Sequence, residues 1–192
     1  MKKTLIILLL AAISINLKAQ SLDSTALIII DIQEFYFPEG AVPLNQPEVA
    51  AQQAATILDY FRKNNGLVVH VKHNFEPGGS IHNLVKPLDS EKIISKDEVN
   101  AFLNTGLNNY LKNHGIKNLV ICGMQTHMCL EAATRAGHDL GYNCTVIQDA
   151  CTTRDLNFGE ETVKAKDVHL STLSTLKSYA TIMEVNKFII EN

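Results

Sequence analysis

The chain has 192 residues, 46% hydrophobic and 19% charged, with a net charge of −3. That balance describes one globular domain and excludes a disordered chain. Without tryptophan and with 6% aromatic residues, it offers no stacking platform for nucleic acid, and its acidity argues against phosphate binding.

Met1–Gln20 pairs Lys2 and Lys3 with an apolar run and small or polar residues at Ala19, Gln20 and Ser21. This is the layout of a secretory signal peptide and is short for a membrane span. Cleavage there removes three of the 17 basic residues and leaves 14 against 20 acidic ones, a net of −6. The expected product is exported, periplasmic or secreted, with no membrane contact once the signal is gone and a domain over residues 22–192. Export permits disulfides among Cys122, Cys129, Cys144 and Cys151. No Cys-x-x-Cys is present. Buried free thiols are expected first, and a Cys122–Cys151 pair is the alternative.

Apolar runs at Ala26–Ile30, Leu67–Val71, Lys92–Ile94, Asn118–Cys122, Cys144–Ile147 and Ala180–Met183 predict strands buried on both faces. Helices are predicted between them. Glu48–Asn64 carries a stripe of Val49, Ala50, Ala54, Ile57, Leu58 and Phe61, and Asn104–Asn113 follows. Thr126–Leu140 carries Cys129, Ala132, Ala133, Ala136 and Leu140, with Thr126 as its N-cap; the last is Thr162–Leu176. Alternation of this kind means a three-layer α/β/α, Rossmann-like fold with a mostly parallel sheet of about six strands.

In such sheets the site lies beyond the carboxyl ends of the strands. Asp31 ends the first strand, Lys96 follows the third, and Cys129 opens the helix after the fourth. Taken singly, Asp31 reads equally as a turn residue, Lys96 as a surface charge and Cys129 as a small buried hydrophobe. Together they place an acid, an amine and a thiol at one sheet edge. A thiol beside a lysine and a helix N-terminus is expected to have a lowered pKa. His127 is read as a rim residue and Glu131 as a solvated charge.

Three blocks resemble the isochorismatase-like cysteine hydrolases. They are ALIIIDIQEFYF with Asp31, IISKDEVNAF with Lys96, and Leu119–Thr153 with its strand-Gly-x-x-Thr-x-x-Cys pattern. The resemblance spans about Ala26 to Met183. It implies a catalytic triad of Asp31, Lys96 and Cys129, a thioester on Cys129, and no cofactor. It also implies a cis peptide between Met124 and Gln125, whose N–H joins that of Cys129 in an oxyanion hole, with Gly123 allowing the turn. True isochorismatases lack the cysteine, so Cys129 implies a small-molecule substrate with an amide, ureido or imide bond. Nicotinamidases carry an Asp-x-His metal motif; here the segment reads His70-Val-Lys-His73-Asn-Phe, so no metal is expected, although His70, His73 and His82 are nearby in sequence. Phe37, His73 and Phe75 are candidates for substrate contact. A homo-oligomer is expected. The alternatives are a thiol redox protein and a silent binding protein on the same fold.

Overall fold

The computed structural model describes residues 22–192; the expected signal peptide lies outside the described residues. Six strands, β1 (Thr25–Ile30), β2 (Leu67–His73), β3 (Lys92–Lys96), β4 (Asn118–Met124), β5 (Asn143–Thr152) and β8 (Ala180–Met183), form one all-parallel sheet. Their order is β3-β2-β1-β4-β5-β8. The central strands lack hydrophobic alternation because helices cover both faces. In β1 every residue from Ala26 to Ile30 is buried.

Helix α1 (Pro47–Lys63) and the terminal α5 (Val185–Glu191) pack together on one face; α3 (Glu131–Asp139) and α4 (Ala165–Leu176) lie together on the other. The short α2 (Leu107–Asn113) buries Leu107 and Leu111. A hairpin of β6 (Leu156–Phe158) and β7 (Glu161–Val163) precedes α4. This is the three-layer α/β/α fold.

Several elements differ from the sequence expectation, each for a local reason. Helix α1 turns Val49 outward, 54% exposed, because at 100° per residue it falls opposite Ala54, Ile57, Leu58 and Phe61. Asn104 and Gly106 take positive φ, which delays α2 to Leu107. Residues 162–164 belong to the hairpin and its exit. There Asp155 accepts the Ala165 N–H at 2.7 Å and pairs with Lys164 at 2.8 Å, so α4 starts at Ala165. The third predicted helix begins with a π turn, Thr126–Leu130. That turn shifts the phase of the helix, so Ala133, Thr134 and Gly137 are buried while Leu140 is exposed. The sequence reading missed α5 and the hairpin.

The same turn corrects the assignment of Thr126 as N-cap. The Met128 and Leu130 amides both bond to the Gln125 carbonyl, which puts Gln125 in the cap position. The Thr126 hydroxyl instead lies 2.9 Å from His169 Nδ1. All four cysteines are buried free thiols.

Candidate active site

Parallel register brings the carboxyl ends of β1 to β4 to one edge. Ile30 is paired with both Val71 and Gly123, and His73 with Lys96. At Gly123 φ is +127°, and a Cβ would collide with the Ile30 carbonyl. Only glycine lets β4 pass β1 this closely. Beyond it, the Met124–Gln125 peptide is cis. Asp31 leaves β1 with φ +47°, a left-handed conformation that aspartate tolerates better than most residues.

Lys96 ends β3, two strands away from Asp31, a distance of roughly 10 Å across the sheet. Its long side chain crosses the edge, and Nζ lies 2.8 Å from Asp31 Oδ2, 3.2 Å from Cys129 Sγ and 3.1 Å from His73 Nδ1. The three central residues are sealed: Asp31 is 0% exposed, Lys96 1% and Cys129 4%. Among the described residues neither Asp31 oxygen has a hydrogen-bond partner of good geometry, and Oδ2 makes the ion contact with Lys96. A buried carboxylate of this kind is an acceptor in waiting.

The expectation of a low thiol pKa is corrected. Burial, then the adjacent Asp31 charge, push Cys129 up to about 12, against the pull of Lys96. Burial also raises Asp31, opposed by Lys96. Desolvation outweighs one neighbouring cation when that cation is already neutralised by a carboxylate. The cluster is therefore a thiol that burial keeps protonated, beside Asp31 and Lys96 in contact at 2.8 Å. Moving the thiol proton to Asp31 keeps the total charge unchanged and leaves a thiolate against Lys96.

His73 is reached by Lys96 and also borders a cleft of about 330 Å³ with Lys72, Asn74, Phe75, Glu76 and Gly79. Its backbone is held by Gln33, the glutamine two residues after Asp31 in the ALIIIDIQEFYF block, to which the sequence alone assigned no role. The fully buried Gln33 amide accepts from His73 N at 2.7 Å and donates to His73 O at 2.9 Å and Gly79 O at 2.7 Å. Phe75 packs on Phe35, with ring centroids 4.4 Å apart. Phe37 stacks on His82 at 3.7 Å. The three histidines do not converge: His70 pairs with Glu91 at 2.9 Å, His73 with Lys96, and His82 with Phe37. Among the described residues no cluster has the makings of a metal site.

Beyond the cis peptide Gln125 spans Tyr36, 3.3 Å from its Nε2, and Arg154, whose Nε is 3.2 Å from its Oε1. Tyr36 is a second residue the sequence reading missed. It sits inside the quoted ALIIIDIQEFYF block, and only its contact across the fold distinguishes it from its aromatic neighbours. His127 bonds Thr153 Oγ1 at 2.6 Å, and Glu131 pairs with Arg135 at 2.7 Å.

Residues 25–178 match the isochorismatase domain model. The chain belongs to the isochorismatase family. It is 42% identical over 178 residues to the isochorismatase family protein YddQ of Bacillus subtilis, covering 86% of this chain and 99% of YddQ. The solved structure of an isochorismatase hydrolase from Oleispira antarctica superposes with a TM-score of 0.84 at 40% identity, over 88% of this chain and 97% of that one. A streptothricin hydrolase of Streptomyces noursei is 29% identical over 140 residues, 68% of this chain and 50% of its own. The isochorismatase-family homologues support a hydrolase.

Proposed function

We propose that the protein is a cysteine hydrolase that cleaves a C–N bond of a small amide, ureido or imide compound through a thioester. The observation that carries this reading is the position of Lys96 Nζ, within 3.2 Å of both Asp31 and Cys129 in a sealed site.

Asp31, raised by burial, takes the thiol proton. Lys96 holds the resulting thiolate, which attacks the carbonyl carbon and forms the S–C bond. The backbone N–H groups of Gln125 and Cys129 receive the oxyanion. As the tetrahedral species collapses, the C–N bond breaks and Asp31 returns its proton to the leaving nitrogen. Water then gives a proton to Asp31 and its hydroxide to the thioester carbon. The thiolate leaves and recovers its proton from Asp31. The streptothricin hydrolase relative accords with a hydrolytic reaction.

A redox-sensing role for Cys129 is disfavoured. Oxidant sensors use accessible thiols of low pKa, whereas Cys129 is buried and its pKa is raised.

The test is ammonia or amine release from a panel of small amides, imides and N-carbamoyl compounds, with Cys129→Ala in parallel. Release by the unmodified protein alone is the expected result. Equal release by both proteins overturns the reading, as does full activity in Lys96→Ala.

A further inference from the structure

Gln125 is bonded at both ends of its side-chain amide. Arg154 approaches one end through Nε, and a guanidinium can only donate. Oε1 must therefore face Arg154, which settles the amide orientation. Nε2 then faces Tyr36 and donates to its oxygen. The hydroxyl oxygen of Tyr36 is thus an acceptor here, and its own O–H is left without an acceptor among the described residues.

This free donor is not on the surface. Tyr36 is buried, and its ring packs on Phe35 with centroids 4.2 Å apart. Buried hydroxyl donors normally find a partner. Its Gln125 neighbour follows the cis peptide, and both Asp31 and Cys129 act electrostatically on the phenol. Burial holds its pKa well above the ordinary range, so the group remains a donor. Arg154 itself is exposed, and among the described residues its guanidinium is engaged through Nε alone.

We propose that Tyr36 is a specificity-determining residue whose O–H donates to a second acceptor oxygen on the substrate, beside the scissile carbonyl. The site then favours C–N compounds that carry such an oxygen, the other carbonyl of an imide or the acid of an N-carbamoyl amino acid, over simple amides. A site built to hydrogen-bond a substrate group discriminates strongly against analogues lacking it. This proposal rests on the hydrolase reading above.

The experiment compares the unmodified protein with Tyr36→Phe, which keeps the ring and removes only the hydroxyl. Substrates are succinimide and N-carbamoylglycine against propionamide. The ratio of kcat/KM for the acceptor-bearing compounds to that for propionamide falls about tenfold in the variant, mainly through KM. Whichever of the two compounds shows the larger fall identifies the oxygen as carbonyl or carboxylate. An unchanged ratio for both overturns the proposal. Binding to Cys129→Ala by calorimetry separates the two readings. If the unmodified protein turns nothing over, but succinimide or N-carbamoylglycine binds Cys129→Ala more tightly than Cys129→Ala/Tyr36→Phe, the hydrolase reading fails while the Tyr36 contact to the second oxygen is upheld. If neither compound binds the single variant more tightly, the Tyr36 proposal fails.

Discussion

Lys96 Nζ donates to Nδ1 of His73 at 3.1 Å, and it is the same ammonium that reaches Asp31 and Cys129. An ammonium has three protons and no acceptor. Its donors face His73 Nδ1 and Cys129 Sγ at hydrogen-bond distance and Asp31 as an ion contact, and a donor facing Nδ1 requires that nitrogen to accept. Replacing His73 by leucine removes one of these contacts and loosens the other two. We expect kcat to fall about tenfold. In His73→Asn the side-chain oxygen can accept in place of Nδ1, and activity should recover part of that loss. Steady-state kinetics of the pair, with ¹⁵N spectra reporting the bare Nδ1, checks this; equal activity in both variants would show that His73 only fills space.

The Asp31–Lys96 pair is fully buried, so removing one partner leaves an uncompensated charge. Asp31→Asn or Lys96→Met alone should cost about 3–5 kcal/mol of stability. The double variant should recover most of that loss while remaining inactive. Urea unfolding of all three proteins measures it, and additive losses in the double variant would contradict the picture.

Cys129 is held up to about 12 by burial and by Asp31. Its alkylation by iodoacetamide should therefore keep rising with pH beyond 9, where an ordinary thiol levels off. Because the folded pKa lies above the unfolded one, the native state retains this proton where the unfolded chain loses it. That contribution to stability is complete below about pH 9 and is lost as pH rises through about 12. Mass-spectrometric alkylation rates between pH 6 and 10 give the first test, and a plateau near neutrality would refute it.

A second charged cluster anchors the segment that leads into β3. Burial pushes the Glu91 carboxyl up, but Arg62, the Leu88 N–H and His70 together bring it down to about 2. Arg62 contacts it at 2.7 and 2.8 Å. A lowered folded pKa means that stability is present above pH 4.5 and is lost as pH falls through about 2. Glu91→Gln should flatten the acid limb of a stability–pH profile measured by urea unfolding. An unchanged limb would assign it to other carboxylates.

The architecture was legible because unbroken apolar runs such as ALIII have one use in a soluble chain, as strands covered on both faces. Asp31, Lys96 and Cys129 were legible for a related reason, since each stands at the end of such a run, where a parallel sheet collects its chemistry. The phase of α3 and the start of α4 were not, because a π turn and the Asp155 contacts override local periodicity.

The chain alone therefore determined the layers, the strand ends and the identity of the acid, the amine and the thiol. Tertiary structure decided their states. Burial, not composition, sets the Cys129 pKa, because desolvation depends on what surrounds a group. The donor left free on Tyr36 follows from a bond to Gln125, 89 residues away in sequence. Where each proton ends up depends on which partners packing brings within 3 Å or so, and no local pattern carries that information.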